Sequence, residues 1–272
     1  MKRLLQRALG FLGYEIRRIP AANPAPASQP TPYRYKQDGL FTVHNCAFMQ
    51  EPRFADAYAA AAKATGEDYH WHWRVHIALW SAAHALMVAG DFVECGVNRG
   101  FLSYAIMTYL NWNDHERRFY LLDTFQGMDR RYVSKEEADR GHLDANAKNL
   151  ESGFYVSGGD SVQKTFSTWK RVSIVEGSVP DTLTQVDAPL ISFLHIDMNC
   201  APPEVAALKG LWRKISLGGI VLLDDYAYHG HDLQKAAMDA LAAELGTQIV
   251  SLPTGQGLLI KAGDGRCPVS HS

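Results

Sequence analysis

The chain has 272 residues, 47% hydrophobic and 21% charged, and its 27 Lys and Arg nearly balance 29 Asp and Glu for a formal net charge of −2. That length buries a substantial core without disulfides and suits one large α/β domain with appendages, while the near-neutral balance argues against nucleic acid as a partner, which would need an excess of Lys and Arg. Four scattered cysteines (Cys46, Cys95, Cys200, Cys267) without zinc-type spacing, and no stretch of about eighteen apolar residues or cleavable apolar leader, give the expectation of a cytoplasmic protein.

The opening segment, residues 1–19, reads as a basic amphipathic helix. Leu4, Leu5, Ala8, Phe11, Leu12 and Ile16 share a face, with Lys2, Arg3, Arg7, Arg17 and Arg18 elsewhere. Such a stretch suits peripheral contact with an anionic membrane surface, or packing on its own domain or a second subunit. Residues 20–38 read as a Pro-rich linker, since PAANPAPASQPTP holds five prolines and no aromatic residue and cannot form a packed core. Residues 39–89 are expected to be the helical opening of the catalytic domain, which then runs over 90–265.

From Gly90 onward, apolar runs alternate with segments of helical spacing. Strands are expected at Phe92–Cys95, Phe119–Leu122, Val172–Val175, Ile191–Ile196 and Ile220–Leu223, and helices over Leu102–Leu110, Val162–Trp169, Glu204–Ile215 and Leu233–Leu245. Continuous apolar strands separated by helices predict a mostly parallel, doubly wound α/β sheet covered on both faces. Gln248–Leu252 and Gly257–Ile260 are closing strands, paired antiparallel at one edge, which brings the sheet to seven. Residues 126–160 form an insertion too long for a simple connection and are expected to act as a lid.

Ligands in such sheets bind outside the carboxyl ends of the strands, and acids crowd those positions here. Glu94 opens the E-x-G-x-x-x-G loop with Gly96 and Gly100 before a helix, and Asp123 ends the second strand. The glycines let backbone approach a ligand and the helix start offers free N–H donors; a tight strand-to-helix turn would need the same glycines. An acid after the second strand suits ribose hydroxyls. Glu94 would repel a pyrophosphate but suits the cationic amino acid end of S-adenosylmethionine, which weakens a nucleotide-dependent oxidoreductase reading.

Asp197 ends FLHID, and Asp224 and Asp225 end GIVLLDD. Adjacent strands lie about 5 Å apart, so three carboxylates there repel unless protons or a hard cation neutralise them. A Mg²⁺ site of Asp197, Asp224 and Asp225 is the expectation, although either of the last two alone could simply cap a turn. His229 and His231, just beyond the Asp pair, rival Asp197 as the general base. His72 and His76, interleaved with Trp71 and Trp73, are expected to pack on the sheet or line the pocket, with Arg74 or His76 near the cofactor carboxylate.

GDFVECGVNRG, LLDTFQGM, VEGSVPDTL, LHIDMN and LGGIVLLDDY together resemble the macrocin and mycinamicin O-methyltransferases, a family of class I S-adenosylmethionine-dependent enzymes with a Rossmann-like fold. The resemblance spans roughly Gly90 to Lys261. It implies a Mg²⁺-dependent methyl transfer to a sugar hydroxyl, with Glu94, Gly96 and Gly100 at the methionine part of S-adenosylmethionine, Asp123 at the ribose, and Gly177 and Ser178 along the adenine. It implies Asp197, Asp224 and Asp225 as metal ligands. The chain departs from the family's D-G-D-x-Y at Asp197-Met198-Asn199-Cys200-Ala201. A non-catalytic glycan-pathway binding subunit on this fold is the alternative, and a homo-oligomer is expected from the N-terminal arm and the insertion.

Overall fold

The computed structural model describes residues 32–263; the basic segment 1–19 and nearly all of the Pro-rich stretch lie outside them. Strands β1 (Tyr35–Gln37) and β2 (Leu40–Thr42) pair antiparallel across a two-residue turn. Asp38 and Gly39 form that turn with φ of 51° and 68°, the left-handed pair that an Asp-Gly hairpin uses. Ordered structure therefore begins inside the span read as linker to residue 38. The hairpin is held down by Tyr35, which is buried and donates to the His70 carbonyl at 2.8 Å.

Helix α1 (Pro52–Thr65) starts with proline in its first turn and ends at Gly66 in the left-handed region, the asymmetry that helix ends favour. Helix α2 (His72–Ala85) buries Arg74, Val75, Ala78, Leu79 and Ala82. His72 stacks on Tyr58 at 4.2 Å between centroids and His76 on Phe48 at 4.0 Å. These histidines are packing surfaces.

The remaining elements alternate in chain order: β3 (Asp91–Cys95), α3 (Phe101–Leu110), β4 (Phe119–Asp123), α4 (Lys135–Asp139), α5 (His142–Glu151), α6 (Asp160–Phe166), β5 (Val172–Glu176), β6 (Ile191–Ile196), α7 (Ala201–Leu211), β7 (Ile215–Leu223), α8 (Asp232–Glu244), β8 (Val250–Ser251) and β9 (Gly257–Ile260). They build a seven-stranded sheet in the order β5-β4-β3-β6-β7-β9-β8. Strands β3 to β7 are parallel, and β9 and β8 close one edge antiparallel. The order reverses between β3 and β6, the crevice where such folds bind ligands.

Side chains alternate between two buried layers. Phe92, Phe119 and Phe193 face α1 to α3, where Trp112 fills the gap among them. Val93, Leu122, Leu194, Val221 and Leu223 face the other way, with Leu208 of α7 and Leu241 of α8. Burying each such side chain contributes about 1.5–3 kcal/mol, enough for the two layers to fix the strand register and with it the rim of acids. Strand β7 begins at Ile215, within the span expected to end a helix, because the α7 helix stops at Leu211 and the chain re-enters the sheet through a register shift opposite Ile191 and Phe193.

The insertion over 126–160 is tied down at both ends of the crevice. Ser134 and Glu137 cap α4 reciprocally, and the fully buried Glu137 also accepts from the Ala201 backbone N–H at 2.6 Å, at the start of α7. Asn98 donates to the Phe154 carbonyl at 3.0 Å and accepts from the Val156 N–H at 3.0 Å. Among the described residues no helix is long and apolar enough to cross a membrane, and Cys46, Cys95 and Cys200 are free thiols.

Candidate active site at the carboxyl ends of the strands

A cavity of about 340 Å³ opens at the carboxyl ends of β3, β4, β6 and β7. Glu94, Gly96, Asp123, Gly177, Ser178, Asp197, Asp224 and Asp225 all line it, so the sequence-derived candidates converge. The insertion walls it through Met128, Phe154, Tyr155 and Val156, and the hairpin turn through Asp38.

One side of the cavity is built mainly from backbone. Gly96 has φ +90°, and a Cβ there would lie 1.7 Å from the Asp197 carbonyl oxygen, so no other residue fits where this loop crosses the end of β6. Asp123 Oδ2 accepts from the Val97 N–H at 2.6 Å and the Asn98 N–H at 2.8 Å, and Oδ1 from the Phe125 N–H at 2.7 Å. The Asp123 carboxylate thus pins the glycine loop, and the Thr124 hydroxyl also donates to its Oδ1 at 3.5 Å. Gly100 does not line the cavity. Its Cβ would lie 2.3 Å from the Phe166 ring, so it is kept small by packing. Ser178 donates to Asp129, joining the loop after β5 to the insertion.

Glu94 is deeply buried. Its two oxygens are taken by the Ser103 hydroxyl and by His195 Nδ1 at 3.0 Å, so what it offers a ligand is its charge more than a free hydrogen-bonding edge.

The opposite side is built from side-chain ions. Arg74 is 5% exposed; its Nε donates to Asp38 Oδ2 at 2.7 Å, one terminal nitrogen pairs with the Asp224 carboxylate and donates to the Asp224 carbonyl at 3.0 Å, and Asp225 Oδ1 stands 3.7 Å away. Gln256 donates to Asp224 Oδ1 at 2.9 Å, and His195 Nε2 lies 3.7 Å from that same oxygen. Burial opposes ionisation of Asp224, but Arg74 and His195 outweigh it and hold the carboxyl well below the usual range. For His195, burial disfavours the cation, yet its contacts with Asp224 and Glu94 prevail and push it up to about 10. Asp197 and Asp225 go the other way, raised by burial and by neighbouring negative charge. Three adjacent acids are therefore split: one is neutralised by cations, and two are poised to hold a proton.

This arrangement bears on the expected Mg²⁺ centre. Among the described residues no set of three or more His, Cys, Asp or Glu is disposed to hold a metal ion. Asp224 is committed to Arg74 and Gln256, so three free carboxylates are not presented together. Asp197 and Asp225 keep the hard-oxygen chemistry that suits Mg²⁺. Of the two rival histidines, His229 is exposed and does not line the cavity, because the chain has already turned outward; His231 does line it, 3.8 Å from Asp225 Oδ2.

The family model described as Macrocin-O-methyltransferase (TylF) matches residues 75–244. The chain belongs to the macrocin O-methyltransferase family. Among curated proteins, it is 29% identical over 150 residues to an 8-demethyl-8-(2,3-dimethoxy-alpha-L-rhamnosyl)-tetracenomycin-C 4'-O-methyltransferase of Streptomyces olivaceus, covering 52% of this chain and 54% of that protein. It is 26% identical over 144 residues to a demethyldecarbamoylnovobiocin O-methyltransferase of Streptomyces niveus, covering 51% and 53%. The chain thus spans about half the length of these relatives. The solved O-methyltransferase NovP superposes with a TM-score of 0.60 at 20% identity, over 70% of this chain and 80% of that one, and the calicheamicin methyltransferase CalS11 with 0.56 at 18%, over 80% and 94%. Both share the fold.

Asp38, Ser103, His195 and Gln256 were not among the sequence-derived candidates of this TylF-family chain. Two of them carried a readable sign. His195 is the last residue but one of β6, two positions before Asp197, and the register sets it opposite Glu94. The Asp38-Gly39 pair between Tyr35-Lys36-Gln37 and Leu40-Phe41-Thr42 is a hairpin signature. Ser103 and Gln256 meet their partners only through tertiary packing.

Proposed function

We propose that the protein is an S-adenosylmethionine-dependent O-methyltransferase acting on a sugar hydroxyl of a glycan or glycosylated natural product. The observation that carries this reading is one cavity with two unlike halves: a backbone-lined glycine loop pinned by Asp123, facing buried acids of raised proton affinity. The first half suits an adenosyl ligand with a cationic sulfonium, because Glu94 contributes negative charge beside the loop and Asp123 meets the ribose. Gly177 and Ser178 border the adenine. The acceptor is proposed as a glycoside because the S. olivaceus relative is named for a rhamnosyl compound.

In this reading the chain brings an acceptor hydroxyl in line with the methyl group. S-adenosylmethionine would supply the methyl group, and Asp197, at the end of β6, would take the proton of the acceptor hydroxyl. Arg74 and His195 keep Asp224 ionised and the local charge balanced, and Met128, Phe154 and Val156 of the insertion exclude water. Asp197 and Asp225 are the residues that would hold Mg²⁺, whose chemistry is to lower the pKa of a bound hydroxyl.

The test is transfer of labelled methyl from S-adenosylmethionine to methyl α-L-rhamnopyranoside and a panel of neutral glycosides, with Mg²⁺ and with chelator. Label in a glycoside supports the proposal, and its loss with chelator supports the metal. Adenosyl binding with no transfer to any sugar overturns it in favour of a binding subunit.

A further inference from the structure

Arg74 is the most heavily engaged side chain of the cavity, and one of its partners comes from outside the main sheet. Asp38 occupies the turn of the β1–β2 hairpin, and its side chain is 6% exposed. Its two oxygens have separate tasks: Oδ2 accepts from Arg74 Nε at 2.7 Å, and Oδ1 accepts from the Tyr228 hydroxyl at 3.1 Å. The guanidinium lies over the Tyr228 ring, 4.4 Å from its centroid. A guanidinium held at Nε and stacked on a ring is fixed in plane as well as in position. Its terminal nitrogen is thereby aimed at Asp224, and through Asp224 the chain of contacts runs on to His195, Glu94 and Ser103. A buried line of polar groups thus joins the hairpin turn to the helix that follows the glycine loop.

We propose that Asp38 is a positioning residue, acting through Arg74 and Tyr228 to fix the cation that neutralises Asp224. The hairpin is then part of the machinery of the site, and removing the Asp38 charge would leave Arg74 free to swing between Asp224 and Asp225. That these acids serve an acceptor rests on the methyltransferase reading above; the locking of Arg74 does not.

The full chain is compared with Asp38→Asn, Asp38→Glu and Tyr228→Phe. In a ¹⁵N spectrum, the Arg74 Nε–H resonance, assigned by its loss in Arg74→Lys, is expected to be protected from solvent exchange. Asp38→Asn accelerates that exchange by about tenfold or more, the scale of a hydrogen bond to a charged group; Asp38→Glu restores part of the protection, and Tyr228→Phe loses less of it. Calorimetry with S-adenosylhomocysteine shows Asp38→Asn binding within about threefold of the wild type, which also reports that the variant is folded. With methyl α-L-rhamnopyranoside as acceptor, kcat falls about tenfold or more while KM for S-adenosylmethionine is unchanged. An Asp38→Asn protein that keeps the protected resonance, or wild-type kcat, overturns the proposal. Wild-type protein that binds no S-adenosylhomocysteine overturns the methyltransferase reading instead, and the resonance still decides on Asp38.

Discussion

The two sides of the cavity are made differently. One side is formed by the backbone of the glycine loop, whose Val97 and Asn98 N–H groups are held by one carboxylate, Asp123, from the next strand. The other side is formed by side chains from distant parts of the chain: Asp38 and Arg74 meet across 36 positions, and Arg74 and Asp224 across 150. Backbone geometry leaves a local mark in the sequence, because few residues tolerate it. Ion networks leave none, because any acid and any base satisfy composition alike. Mutations on the two sides should accordingly fail in different ways.

The largest effect is expected at Gly96. Alanine there meets the Asp197 carbonyl and must hold φ +90°, so Gly96→Ala should destabilise the fold by on the order of 3–5 kcal/mol or abolish adenosyl binding, read by denaturant unfolding and calorimetry. Arg74→Met comes next. It leaves Asp38 and Asp224 buried without their cation, for a loss of about 3–5 kcal/mol in unfolding free energy, and the double change Arg74→Met with Asp38→Asn should lose less than the two separate losses added together. A simple sum would mean that the ionic side is not one network.

Asp123→Asn sharpens the comparison on the other side. The loop keeps its glycines but loses two charge-assisted hydrogen bonds, so S-adenosylhomocysteine affinity should fall by about 10–100-fold with little change in unfolding. A smaller effect is expected from pH. His195 has its affinity for a proton raised above the ordinary histidine value on folding, so its contribution to stability is complete below about pH 6.5 and is lost as pH rises through about 10. Melting temperature should decline over that window, and less so in His195→Gln. The smallest effect is expected at Arg131, whose ion pairs with Asp129 and Asp181 are exposed; Arg131→Ala should leave the melting curve unchanged.

The same division explains what could be read from the chain alone. The alternation of apolar runs and helical spacing specifies the doubly wound sheet, and turn residues after each run locate Glu94, Gly96, Asp123, Asp197, Asp224 and Asp225 at one rim, as the fold bears out. What those acids touch was not legible. Nothing local tells that Asp224 faces Arg74 and Gln256, or that Ser103 meets Glu94. His229 and His231 are two residues apart in one polar loop, and only the turn of that loop decides which faces inward. The hairpin was hidden by its neighbourhood, since a proline-rich stretch runs directly into the short strands that flank Asp38.

The most direct test of the account is calorimetric titration of the wild-type protein with S-adenosylmethionine, S-adenosylhomocysteine and NAD, each with Mg²⁺ and with chelator. The account predicts that both adenosyl ligands bind, that NAD does not because Glu94 sets a negative charge beside the glycine loop, and that binding persists in chelator because the loop pinned by Asp123 holds the adenosyl ligand without a metal. Binding of NAD, or no binding of either adenosyl ligand, would contradict it.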